Sequence, residues 1–142
     1  MKKSIAVVLA VVLAVSTVVF CVLWQRAVHD TSELEAFAQA EALKAYTYFT
    51  DYQSGKDNAD YWQGVAAFHA FTDAYGVLTE GTNKSANRVF CDEVYSSLTQ
   101  SLEQSQAHIE EIASVMKLLS EDITNETAHA KMLELRNVLK YN

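Results

Sequence analysis

The chain starts with a long apolar run behind two lysines. Residues 4–25 carry no charge, and residues 5–23 are dominated by Val, Ala and Leu. A helix over residues 5–23 is about 28 Å long, close to the ~30 Å hydrocarbon core of a membrane. Trp24 follows, where an indole ring prefers the membrane interface. We therefore predict a signal-anchor transmembrane segment over residues 1–26, with residues 5–23 in contact with the lipid bilayer.

The flanking charges predict the orientation of this segment. Two lysines precede the run, and acidic residues soon follow Arg26. The positive-inside bias then places the N-terminus in the cytoplasm and residues 27–142 on the extracytoplasmic side. A cleaved signal peptide and a secreted product are the alternative, because residues 14–16 offer small side chains to a signal peptidase. Cleavage there would leave apolar residues 18–24 exposed to water, so we favour a retained anchor.

Beyond the anchor, apolar residues recur at helical spacing in four stretches. The chain has no proline and only four glycines, which favours long helices. The predicted helices cover residues 32–52, residues 59–79, residues 86–122 and a fourth segment that starts near Glu126. The predicted N-caps are Asp57 or Asn58, Ser85 and Thr124. A capping box at Ser32 and Glu35 leaves open whether the first helix restarts there or the membrane helix runs on.

The third predicted helix has the most regular pattern. Its stripe alternates spacings of three and four at Tyr95, Leu98, Leu102, Ser105, Ile109, Ile112, Met116, Leu119 and Ile123. That is a heptad pattern with one polar member, Ser105. The stripe is either the core of the chain's own bundle or the seam of a dimer or partner complex. We favour the core, because the first two helices also carry apolar faces that need covering.

Together these patterns predict an all-α protein. An N-terminal transmembrane helix is followed by an antiparallel bundle of three to four helices, one of them long and heptad-patterned. The domain of residues 27–142 is acidic: the formal net charge of the chain is −7, and three of its 11 basic residues flank the anchor. The remaining eight face all 18 acidic residues, a balance of −10. Such a surface repels phosphate, so nucleic acid is not an expected partner.

Few residue constellations suggest chemistry. Glu126 and His129 have the spacing of one half of a di-iron site, but the second pair, His108 and Glu111, has the reverse order. We therefore expect no metal and no cofactor. The acidic neighbours of Cys91 disfavour a thiolate, so we expect this residue in the core. Because no nucleophile or phosphate-loop motif is present, we do not expect an enzyme.

Two functional hypotheses from different classes follow. The preferred one is a non-enzymatic interaction subunit of an envelope or membrane protein complex, with a protein partner or self-association. It would use apolar residues outside the main stripe, namely Val115 and Leu118 on the third helix and Leu133 and Val138 on the fourth. The alternative is an extracytoplasmic ligand-binding or sensing module. It would use an aromatic-lined hairpin of the first two helices, with Tyr48, Tyr52, Trp62 and Phe68 around the ligand.

Overall fold

The computed structural model describes the backbone of residues 2–140, together with the side chains of Thr17 and of residues 30–140. Within this part of the chain all regular structure is helical, which confirms the predicted fold class. The helices are α1 (Lys2–Gly55), α2 (Asn58–Thr79), α3 (Ser85–Gln100), α4 (Leu102–Ala107), α5 (Ile109–Glu121) and α6 (Glu126–Lys140). Contacts divide the chain into two units, Met1–Glu33 and Leu34–Asn142. The second unit is the helical bundle.

The predicted membrane segment stays a prediction of the sequence. Apart from Thr17, the side chains of residues 5–23 lie outside those that the structure describes. Among the described residues, no helix combines the length and apolar content needed to cross a bilayer. Helix α1 continues through Ser32 without a break, so the capping box at that position does not start a new helix.

A short turn joins α1 to α2. Lys56 adopts a positive φ of 55°, and its N–H donates to the carbonyl of Tyr52 at 2.7 Å. The carboxylate of Asp57 then accepts a hydrogen bond from the N–H of Ala59 at 2.9 Å, which confirms the predicted N-cap of α2. Tyr52 and Tyr61 meet across the turn with ring centroids 5.3 Å apart, so α1 and α2 form an antiparallel hairpin.

Helix α3 returns antiparallel to α2. The hydroxyl of Tyr61, near the start of α2, donates to the carbonyl of Leu98 near the end of α3 at 2.8 Å. At the other end, the side chain of Asn87 lies 3.5 Å from the hydroxyl of Tyr75. Ser85 is the first residue of α3 and not its cap, contrary to our prediction.

The prediction of one long helix over residues 86–122 is wrong. The chain leaves helical geometry at Ser101 (φ −119°, ψ 62°) and again at His108 (φ −107°, ψ 18°), which separates α3, α4 and α5. Helix α3 runs in the same direction as α6. Tyr75 contacts both Asn87 near the start of α3 and His129 near the start of α6, while Glu93, farther along α3, contacts Arg136 and Lys140 near the end of α6. Helix α5 joins α6 through a four-residue turn and must run the opposite way. The chain therefore reverses direction at α4.

Hydroxyl groups provide the physical reason for this corner. A helix that ends leaves its last carbonyls without intrahelical partners. Here the hydroxyl of Tyr61 donates to the carbonyl of Leu98, and the hydroxyl of Ser105 donates to the carbonyl of Ser97 at 2.9 Å. The hydroxyl of Thr99 also bonds back to its own helix. Such bonds compete with helix continuation.

The heptad stripe is nevertheless buried on both sides of the corner. Seven of its nine members are buried, while Tyr95 is half-buried and Leu102 is 40% exposed. The core position of the stripe is thus confirmed for most of its length. The pattern persists because α3 and α5 both turn an apolar face to the same core.

The last turn is capped by a residue other than the predicted one. The side chain of Asn125 accepts a hydrogen bond from the N–H of Ala128 at 3.0 Å and so caps α6. Thr124, the predicted cap, instead donates through its N–H and its hydroxyl to the carboxylate of Asp122. These bonds hold the pKa of Asp122 below its ordinary value.

Candidate partner-binding groove

A groove that is open to solvent lies between helices α5 and α6 on the surface of the bundle. Its volume is about 560 Å³. It is lined by His108, Glu110, Glu111, Ser114 and Val115 on one side and by Lys131, Glu134, Leu135 and Val138 on the other. These residues follow one another at helical spacing, so each side of the groove is one helix face.

The floor of the groove is apolar. Val115 is 1% exposed and Leu135 is 6% exposed, whereas Val138 at the lip is 43% exposed. Our expectation that Val115 stays exposed is therefore wrong. Helix α5 contacts α6 on one side and α1 on the other, where its Lys117 lies over the ring of Tyr46. Because both sides are covered, α5 buries residues such as Val115 in addition to the heptad stripe.

Sequence reasoning identified part of this groove. Of the four apolar residues predicted to face a partner, Val115 and Val138 both line it. Leu118 and Leu133 are half-buried and do not line it. Leu118 packs against the core instead.

The rim of the groove carries unpaired carboxylates. In the described part of the chain, neither Glu110 nor Glu134 has an ion-pair partner within 4 Å. The other face of α6 differs, because Arg136 and Lys140 both donate hydrogen bonds to Glu93 and lower the pKa of that carboxyl group. On one face of α6, Arg136 and Lys140 are paired with Glu93. On the face that lines the groove, the carboxylate of Glu134 has no ion-pair partner among the described residues.

One weak contact and one cation complete the rim. His108 Nδ1 lies 3.7 Å from Glu111 Oε1, a contact within one helical turn. Lys131 is the basic member of the lining. Three carboxylates, Glu110, Glu111 and Glu134, against one ammonium leave the carboxylate and lysine side chains of the groove with a formal balance of −2.

The aromatic hairpin, the alternative site, is mostly core. Tyr52 and Phe68 are buried, Tyr48 is half-buried and Trp62 is 47% exposed. Tyr61 sits among them, and its ring centroid lies 5.4 Å from that of Trp62. Tyr52 and Trp62 therefore pack on one buried ring, while Phe68 packs against Phe71 with ring centroids 6.5 Å apart.

A buried polar cluster was not predicted. His129 Nε2 lies 2.9 Å from the carbonyl oxygen of Ile123 and 3.2 Å from the hydroxyl of Tyr75. Its Nδ1 is buried without a hydrogen-bond partner. Burial lowers the pKa of His129 and raises that of Tyr75. A neutral imidazole that donates from Nε2 to the Ile123 carbonyl fits these contacts.

One sequence signal marks this histidine. His129 lies three residues before Met132, a member of the apolar stripe of α6. Residues three positions apart lie on the same helix face, so the sequence indicated that His129 faces the core. We instead paired His129 with Glu126, which is exposed.

The remaining candidate chemistry is structural. Cys91 is fully buried, as predicted, and burial raises the pKa of its thiol to about 12. His69 Nδ1 lies 3.6 Å from Asp73 Oδ2 on the same helix, and its ring packs on Tyr95 with centroids 4.5 Å apart. Among the described residues, no group of three His, Cys, Asp or Glu side chains is placed to hold a metal ion.

Comparisons with protein-family models, with curated proteins and with solved structures found no match to this chain.

Proposed function

We propose that this protein is a membrane-anchored, non-enzymatic interaction subunit of an envelope or membrane protein complex, and that another protein binds in the α5–α6 groove. One observation carries the proposal. The groove combines a buried apolar floor with an exposed valine at its lip, Val138, and two unpaired carboxylates on its rim.

This combination is typical of protein interfaces. Apolar area at the centre of an interface excludes water, and charges at the rim orient the partner. A small-molecule site is less suitable, since such sites usually enclose most of their ligand.

The placement of the titratable groups supports a non-enzymatic role. Catalysis commonly uses groups with perturbed pKa values inside a cleft. In this protein the pKa values of Cys91, Tyr61 and Tyr75 are raised by burial, and these groups belong to the core. None of them lines the groove.

The apolar sequence of residues 5–23 supports the anchored placement. Confinement to a membrane raises the effective concentration of the bundle near other membrane proteins. Gly55, the exposed last residue of α1, suits a topology test. We expect Gly55→Cys, in a chain without Cys91, to react with a membrane-impermeant thiol reagent on intact cells. Labelling only after lysis would contradict the extracytoplasmic orientation.

Two exposed valines allow a matched test of the groove. Val138 lies at its lip with 43% exposure, and Val89 lies on α3, outside the groove, with 51% exposure. We expect Val138→Asp to abolish copurification of the partner with the full chain solubilised from its own membrane. Val138 is 43% exposed, so covering the rest of it stabilises an interface by roughly 0.6–1.3 kcal/mol, or about three- to ninefold in affinity, and an aspartate there adds the cost of burying a charge.

The control variant Val89→Asp should keep the partner. Circular dichroism should show the same helical content for both variants, because both positions are exposed. Equal retention of the partner by both variants, or equal loss, would show that the groove is not the docking surface.

A further inference from the structure

We infer that the occupant of the groove is an amphipathic helix of a different protein, with lysine or arginine residues flanking its apolar face. This inference rests on the proposed function and specifies the chemistry of the partner.

The shape of the groove suits a helix. Both of its walls are helices, and a third helix packs on such a pair with its side chains in the groove between them. The lining on the α5 side extends from His108 to Val115, about 10 Å or two helical turns. Apolar residues at positions i, i+3 or i+4 and i+7 of the incoming helix would reach Val115, Leu135 and Val138.

The negative charge of the groove favours basic residues on both sides of the apolar face of that helix. Glu110 belongs to α5 and Glu134 to α6, so unpaired carboxylates stand on opposite walls. A helix lying between the walls would present cations to both. An acidic helix would meet like charges on both walls and would be repelled. The carboxylates therefore contribute more to specificity, by excluding acidic partners, than to the affinity for a basic one.

A second copy of this chain is a poor occupant. The domain of residues 27–142 has a balance of −10, so two copies repel each other. Six of its eight basic side chains also have internal partners. Lys44, Arg88, Arg136 and Lys140 contact carboxylates, and Lys56 and Lys117 lie over tyrosine rings.

Photo-crosslinking from inside the groove tests this inference. The full chain carries p-benzoylphenylalanine at Ser114, an exposed lining residue, and is irradiated in its own membrane. The matched control carries the same group at Ala66, an exposed residue of α2 outside the groove. The crosslinked peptide is then identified by mass spectrometry. We expect a segment of another protein with apolar residues at helical spacing and a net positive charge.

Charge reversal provides the second arm. We expect the double variant Glu110→Lys and Glu134→Lys to reduce the Ser114 crosslink at least tenfold. The control double variant, Glu80→Lys and Glu121→Lys, changes the net charge by the same +4 at exposed positions outside the groove and should reduce the crosslink far less. A synthetic peptide of the identified segment should bind the full chain in nanodiscs, and raising the salt concentration should weaken this binding.

The outcomes separate the two proposals. A Ser114 crosslink to an acidic or uncharged segment, to a second copy of this chain, or one equally strong in both double variants would overturn the basic-helix inference. The proposed interaction function would then stand. A Ser114 crosslink no stronger than the Ala66 control would overturn the groove as an interaction site, and the inference with it.

Discussion

The contact between Gly64 and Phe49 gives a sharp prediction about how α1 and α2 pack. A Cβ atom added at Gly64 would lie 2.5 Å from two ring carbons of Phe49, and Phe49 is fully buried. Ordinary contacts between carbon atoms are about 3.5–4.0 Å, so the ring would have to move by roughly 1 Å. Gly76 provides the comparison, because its added Cβ would meet only the mobile end of the Arg88 side chain.

The magnitude follows from two opposing terms. Replacing a helical glycine by alanine stabilises a helix by about 1 kcal/mol. Overpacking of a filled core costs about 1–3 kcal/mol. The helix term is common to Gly64→Ala and Gly76→Ala and cancels in their difference, so Gly64→Ala should be less stable by roughly 1–3 kcal/mol. At about 4 °C per kcal/mol, this is a gap of ~4–12 °C in Tm.

Thermal unfolding of the full chain, followed by circular dichroism at 222 nm, measures this gap. A Tm of Gly64→Ala equal to or above that of Gly76→Ala would refute the close approach of α1 to α2. A double-mutant cycle with Phe49→Leu adds specificity. The smaller side chain relieves the clash, so the cost of Gly64→Ala should shrink in that background.

Three further predictions test the core and the buried polar groups. Ile112→Asp places a charge at a buried position and should cost roughly 4 kcal/mol or more in urea unfolding, whereas Glu110→Ala should change stability by less than about 0.5 kcal/mol. Tyr61→Phe leaves the buried Leu98 carbonyl without its donor and should cost about 1–3 kcal/mol, and an unchanged urea midpoint would contradict the capped corner. For His129 the folded pKa is lowered, so the unfolded chain takes up the proton first and stability falls as pH drops below about 6.5. His129→Gln should flatten this part of the pH profile, and parallel profiles would contradict the buried neutral imidazole.

The environment of His129 explains why its protonation should destabilise the fold. The carbonyl of Ile123 at Nε2 favours the protonated ring, but Nδ1 is buried and has no hydrogen-bond partner for a second proton among the described residues. Lys84 adds an unfavourable charge, and the exposed carboxylate of Asp122 opposes it only in part. Burial therefore dominates, and protonation requires local opening.

The sequence predicted the helical class and most of the core, but not the path of the chain. Heptad periodicity reports which residues are buried, and α3 and α5 keep the same register on either side of the corner. Continuity depends instead on local competition for backbone carbonyls. The hydroxyl-rich stretch of residues 96–101 indicated a possible break in the predicted helix, because Ser and Thr side chains bond to nearby carbonyls and weaken helices.

The groove was predictable only in part, for a related reason. Val115 and Val138 were predicted to face a partner because they are apolar residues outside the main stripe, and both line the groove. The burial of Val115 could not be read from one helix, because it depends on how closely α6 packs on α5. Glu110 and Glu134 had no sequence signal of their own, since they become neighbours of one groove only when the two helices pair.

The acidic character of the bundle can act at two ranges, and the two double variants separate them. A net negative domain attracts a basic partner over long distances and raises the association rate, an effect that depends mainly on total charge. Contacts at Glu110 and Glu134 act only after docking and slow dissociation. Since both double variants change the charge by the same amount, they should lower the association rate similarly. Only the groove variant should also speed dissociation, so equal dissociation rates would mean that the acidity steers the partner without holding it.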